Sequence, residues 1–145
     1  MAARVSKKEK APPPPKFDKT EIPEALTITI SKGMIGTNGY RHWLRNFLAA
    51  MKKSEEIEDH AYWFRQGNIP KNESGIKYVY LVIGNKVRFR VFYAGARGAC
   101  TMQFENRTDL LFGKAWILTG GPVSRPTQPY PMKGFQGFRY STKLF

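Results

Sequence analysis

Residues 76–94 constrain the fold more tightly than any other stretch, because their pattern is that of a β-hairpin. Two runs rich in valine, isoleucine, tyrosine and phenylalanine flank Gly84 and Asn85, a pair that takes the positive φ angles of a tight two-residue turn. The second run alternates. Successive side chains on a strand point to opposite faces, so Val87, Phe89, Val91 and Tyr93 are expected on one face and Lys86, Arg88, Arg90 and Phe92 on the other. The first face would build a core, and the basic second face predicts an anionic partner.

The charge of the whole chain points the same way. Its 145 residues include 24 Lys and Arg against 11 Asp and Glu, a formal net charge of +13. Such a field attracts polyanions, with nucleic acid as the first expectation and an anionic membrane surface or plain solubility as the others. The length suits one domain with a real core plus a tail. The longest purely apolar run, near residues 79–83, falls far short of the roughly 20 residues that cross a bilayer. The first 16 residues are charged and proline-rich, without the apolar segment of a secretory signal. An intracellular protein is expected, and the single cysteine, Cys100, agrees with a reducing compartment. Its neighbours Ala99, Thr101 and Met102 suit a buried strand thiol rather than a nucleophile, since no basic group stands beside it.

Taken in order, residues 1–20 carry Lys7, Lys8 and Lys10 and then Pro12 to Pro15, which predicts a disordered basic arm. Leu26, Ile28 and Ile30 alternate with threonines as a strand with one buried face. Residues 32–39 hold three glycines and read as a loop, with Thr37 or Asn38 as a helix cap; the lysine and hydroxyl ending of a phosphate-binding loop is missing. From Tyr40 to about Lys53 the period becomes helical, with Trp43, Leu44, Phe47, Leu48 and Met51 on one face and Arg41, Arg45 and Lys52 away from it. The acidic cluster Glu55, Glu56, Glu58 and Asp59 beside His60 reads as a solvated turn or helix start, because its spacing matches no metal-ligand set. Tyr62, Trp63 and Phe64 are three adjacent aromatics, so at least one must face outward or into a cleft. With Arg65 nearby, that one is a candidate stacking platform for a base. After the hairpin, residues 94–98 read as a turn, 99–104 and 115–119 as strands, 120–131 as a proline-rich connection, and Phe135 to Tyr140 as a closing strand.

This order of parts resembles a known superfamily. Trp63 and Pro70 before the hairpin, the strand pair around Gly84, the strand at Trp116, Pro122, and the glycine-aromatic run from Lys133 to Tyr140 together resemble the PUA-like proteins. Their EVE and ASCH branches are nearest, over residues 25–145. The resemblance implies an α+β fold: a small, strongly curved mixed or antiparallel β-barrel with one main helix and one or two short ones, forming a single domain over residues 21–145. It also implies a nucleic-acid ligand, DNA or RNA, sometimes with a modified or flipped base held in an aromatic pocket. Carried onto this chain, the pocket would use Tyr62, Trp63, Trp116 and Phe135, with Arg88, Arg90, Lys133 and Arg139 reaching phosphates. Lys86 and Arg125 belong to the same basic set. From Lys86 onward there are ten Lys and Arg against two acids, interleaved with aromatics, which suits a backbone-tracking groove with stacking sites.

Other classes remain open at this stage. Arg88 and Arg90 would also serve simply to keep an exposed sheet face soluble. A protein-interaction role, with the proline-rich 122–131 segment docking on an acidic protein, is the alternative. For an enzyme the available acids and bases are His42, His60, Asp59 and Glu105, and no two have a spacing that forces them together. The lysine, threonine and glutamate set of the amidohydrolase-like ASCH proteins has no counterpart that can be placed here. The sequence therefore assigns no catalytic residue, cofactor or metal.

Overall fold

A computed structural model describes residues 11–14, 22–57, 62–66, 70, 74–98, 115–128 and 130–145. Its elements run β1 (Ala25–Thr29), α1 (Lys32–Ile35), α2 (Tyr40–Ile57), β2 (Tyr62–Gln66), β3 (Tyr78–Val82), β4 (Lys86–Gly98), β5 (Ala115–Ser124), β6 (Tyr130–Pro131) and β7 (Phe138–Ser141). The strands form one mixed sheet in the order β2-β5-β4-β3-β1-β7, with β6 paired to the start of β4. β1 and β3 run parallel and every other pair is antiparallel. The fold is α+β as expected. The expected closed barrel is not seen among the described residues, where the sheet is open with β2 and β7 at its two ends.

The predicted hairpin is the β3–β4 pair. Gly84 and Asn85 both have φ of 60°, and the Ile83 N–H donates to the Lys86 carbonyl at 2.8 Å. β4 then departs from a regular strand. Leu81 pairs with Phe89 and Val82 with Val87, which leaves Arg88 as an extra, unpaired residue. A bulge of this kind reverses which way the following side chains point. Val87 therefore joins a cluster with Ala25, Tyr80, Val82 and Met132. Phe89 and Val91 join a different one with Leu26, Ile28, Val79, Leu81 and the helix residues Trp43, Phe47 and Met51. The expected core face holds for Phe89, Val91 and Tyr93 but not for Val87, which lies in the cluster on the opposite face.

The helical face of α2 is as expected, with Trp43, Phe47 and Met51 buried and Arg41, Arg45 and Lys52 exposed. Trp43 stacks on Phe47 with centroids 5.0 Å apart, and Phe47 meets Phe64 of β2 and Phe89 of β4. The helix runs on through Glu55 and Glu56 to Ile57, so those acids end a helix rather than begin one. Two stretches read as turns are ordered elements. Lys32–Ile35 forms a single helical turn whose Met34 N–H donates to the Ser31 hydroxyl. β4 and β5 continue past their glycines, because each supplies the other's backbone partners from Arg90 to Gly98.

The second face is covered by chain from the C-terminal region. The Tyr80 hydroxyl accepts from the Leu144 N–H at 2.8 Å and donates to the Phe145 main-chain oxygen at 3.2 Å. The Phe145 ring sits edge-on to Tyr80 at 5.0 Å. Of the predicted N-terminal arm, residues 11–14 are described, and the Pro12 carbonyl accepts from the Lys133 N–H at 2.6 Å. The remainder of the arm, Cys100 and the strand expected at 99–104 lie outside the described residues.

Helix and sheet are joined where β5 has no side chain. A Cβ at Gly121 would stand 2.8 Å from the Met51 carbonyl oxygen. The buried Ser54 hydroxyl bridges this contact, donating to Met51 O at 2.7 Å and accepting from Gly121 N–H at 3.0 Å. Ser54→Ala removes both bonds and leaves buried partners unmatched, so a loss of about 1–3 kcal/mol is expected. Urea denaturation checks it, and Gly121→Ala, which adds the colliding carbon, is expected to destabilise as well.

Candidate functional site

Arg88 also borders a cleft among the described residues. It has a volume of about 220 Å³ and is lined by Tyr40, Leu44, Lys86, Val87, Arg88, Phe89, Arg125 and Pro126. On a regular strand the four consecutive residues 86–89 would face alternate sides. Here all four border one concavity, at the point where the pairing is irregular.

Each wall has a local cause. Tyr40 opens α2 directly after Gly39, whose φ of 88° turns the chain into the helix. Leu44 lies one turn further on and so faces the same way. Tyr40, Leu44 and Pro126 are half-buried, while Val87 and Phe89 are buried. Lys86, Arg88 and Arg125 are exposed around the rim. Arg88 is held in place by its Nε, which donates to the Ile83 carbonyl at 3.0 Å. The Arg125 guanidinium lies 5.1 Å from the centroid of the Phe89 ring, a cation–π contact that orients it. Among the described residues no acid lines the cleft. Three cations on an apolar concavity can hold an anion that also carries a flat or apolar part.

The remaining expected site residues are dispersed. Arg90 is half-buried and turned to the second face, where it donates to the Phe145 main-chain oxygen and, at 3.1 Å, to the Ser124 hydroxyl. Its guanidinium stands 4.6 Å over the Tyr78 ring. Arg90 thus fastens the C-terminal segment and does not join Lys86 and Arg88. Lys133 is exposed beside the hairpin tip, where Met132 N–H and Gly134 N–H bond the Asn85 carbonyl and side chain. Arg139 is exposed on β7 with its guanidinium 5.3 Å from the Phe135 ring.

The four expected aromatics divide into two places. Tyr62 and Trp63 lie on β2, paired with Thr119 and Leu118 of β5, the strand that carries the half-buried Trp116. Phe135 packs in the second-face cluster, and its N–H donates to Thr29 on β1, three strands along the sheet from β5. Phe135 therefore does not form one pocket with Trp116. Of the acid–base candidates, His42 is exposed on α2 with its Nε2 3.2 Å from the Asn46 amide nitrogen. His60, Asp59 and Glu105 lie outside the described residues. Among the described residues no group of three His, Cys, Asp or Glu side chains is placed to hold a metal ion.

Sequence reasoning missed Tyr40, Leu44 and Pro126 as site residues. The available signal was the position of Tyr40 at the helix start, one residue after a glycine and four before Leu44. Comparison with known proteins gives no match to a family model, a curated protein or a solved structure.

The division of the arginines has a measurable consequence. Arg90→Ala strips charge-assisted bonds from Ser124 and Phe145 and is expected to cost about 1–3 kcal/mol in denaturant unfolding. Arg125→Ala, at an exposed position whose one cation–π partner is a single ring, is expected to change stability by less than about 1 kcal/mol.

Proposed function

We propose that the chain is a nucleic-acid-binding module whose phosphate contacts come from Lys86, Arg88 and Arg125 at the rim of the cleft. The observation that carries this reading is the convergence of those three cations, with no acid in the lining among the described residues, on a concavity bordered by aromatic and aliphatic residues. The net charge of +13 supplies the long-range attraction that brings a polyanion to it. Lys133 and Arg139 are proposed as outlying phosphate contacts near the hairpin tip. Tyr62, Trp63 and Trp116 are proposed as stacking residues on β2 and β5. Arg90 is left out, since its partners are within the chain.

A PUA-like fold is part of the same proposal. It is supported by the register shifts at three points along β4, which bend the sheet as bulges do in curved sheets and barrels. No described helix is long and apolar enough to cross a membrane. An intracellular location is proposed on the sequence grounds given above.

Filter binding of DNA and RNA across a salt series tests the proposal. Affinity is expected to fall steeply with salt, and each lost phosphate contact flattens the log–log slope by about 0.7–0.9. Arg88→Ala combined with Arg125→Ala is therefore expected to reduce the slope by about 1.4–1.8, with Arg90→Ala leaving it unchanged in the folded protein. Absence of binding to any DNA or RNA at low salt overturns the reading. Capture of an acidic protein that survives nuclease treatment, in that case, would place the chain among protein-interaction components.

A further inference from the structure

We infer that the second face carries a binding site for the end of a partner's extended peptide, one that closes in an aromatic residue with a free carboxylate. In this structure the chain's own residues 142–145 fill that slot. The inference is separate from the nucleic-acid reading, because the slot shares no residue with the lining of the cleft. The residues seated in it are held as a bound peptide is held. They belong to none of the strands, and side chains take their main-chain groups. The Lys143 N–H donates to the Glu24 carboxylate at 3.1 Å, and the N–H groups of Leu144 and Phe145 both donate to the Tyr80 hydroxyl. That hydroxyl and the Arg90 guanidinium both donate to the Phe145 main-chain oxygen. Main-chain bonds hold an extended segment whatever its side chains, and contacts to those side chains add selectivity. Here the Phe145 ring sits edge-on to Tyr80, and the Lys143 ammonium lies 5.9 Å from the centroid of the Tyr78 ring.

Charge complementarity names the group that suits the end of the slot. Arg90 is half-buried, and among the described residues no acidic side chain is bonded to it. Its guanidinium meets the Ser124 hydroxyl and the Tyr78 ring, and its remaining bond is aimed at the Phe145 oxygen. A cation drawn out of water is best matched by an anion, and the planar guanidinium fork matches a carboxylate. With the Tyr80 hydroxyl directed to the same point, two donors converge where a terminal carboxylate places its oxygens. Glu24 stands at the other end of the slot, so a peptide is accepted in one direction, with its N–H groups toward Glu24 and Tyr80 and its carboxylate toward Arg90. Tyr80 and Arg90 are opposite one another in the β3–β4 pair, and Ser124 holds Arg90 from the side. Donors fixed in this way lower the cost of ordering on binding. A segment held outside the sheet opens at lower cost than a core strand, which lets an incoming peptide displace it.

Fluorescence anisotropy of a labelled peptide with the sequence of residues 140–145, Tyr-Ser-Thr-Lys-Leu-Phe, tests the site. The full chain carries Phe145→Gly, so that its own ring no longer fills the slot, and the peptide is compared as free acid and as carboxamide. The acid is expected to bind on the order of tenfold more tightly, the difference between a charge-assisted and a neutral hydrogen bond. Arg90→Gln in the same background keeps a donor but removes the charge, and is expected to abolish the preference for the acid. Equal affinity for acid and amide, or binding of neither, overturns the inference. The unaltered chain gives a second measurement that does not depend on how the variant folds. Its own segment competes at an effective concentration in the roughly millimolar range, so millimolar acid peptide is expected to shift the amide resonances of Leu144 and Phe145 in heteronuclear NMR spectra. Resonances that stay in place under that excess overturn the inference as well. A dimer of the unaltered chain that excess peptide dissolves puts a second copy in the slot and overturns the assignment to a separate partner.

Discussion

One irregularity in strand pairing, the extra residue at Arg88, decides how the rest of this molecule packs. The turn at Gly84 and Asn85 sets the register of β3 against β4, and the bulge then shifts it by one residue. Without that shift Val87 would join Phe89 in the core beneath α2, and Arg88 would continue the alternation with Arg90. With it, apolar side chains are delivered to both faces within three residues. A second hydrophobic cluster then becomes necessary, and the chain supplies its cover from residues 130–135 and 144–145.

The covering of that second face explains why a half-buried arginine is tolerated. Arg90 pairs opposite Tyr80 on the neighbouring strand, and the two residues hold the same piece of chain. Tyr80 is fully buried, and its hydroxyl bonds main-chain groups of both Leu144 and Phe145. Arg90 bonds Phe145 and Ser124 and stacks over Tyr78. A charge removed from water needs several hydrogen bonds to remain favourable. These contacts supply them, and the arginine that looked most exposed by alternation becomes part of the interior.

What was legible in the sequence followed from local rules. The positive-φ turn, the alternation of Leu26 and Ile28 in β1, the buried stripe Trp43–Phe47–Met51 and a closing strand near Phe138 all depend on residues close together in the chain. What was missed depends on partners far away. Nothing local marks Arg88 as unpaired, since a bulge is defined by the strand opposite. Residues 94–98 read as a turn and 120–131 as a proline-rich connection, but β4 and β5 pair with each other through Gly98 and Ser124, and the bare Gly121 is what lets Met51 and Ser54 approach. For the candidate site, the basic members Lys86, Arg88 and Arg125 were legible from composition. Tyr40 and Pro126 were not, because their meeting is a product of the tertiary fold.

The bulge also separates two uses of positive charge that the composition merges. At physiological salt a charge is felt over about 8 Å, so a cation beyond that reach does not act on a ligand held in the cleft. Exposed Arg41, Arg45, Lys52 and Lys53 on α2 would, under the proposed function, contribute chiefly to the field that steers a polyanion toward the protein. Under the same proposal, contact charge at the cleft comes from the three residues on its rim, of which only Arg88 occupies the unpaired position itself. A mutation that restored regular pairing at Arg88 would leave the net charge and the steering field intact. It would nonetheless return that guanidinium to the alternating pattern of β4 and bring Val87 to the face that carries Phe89.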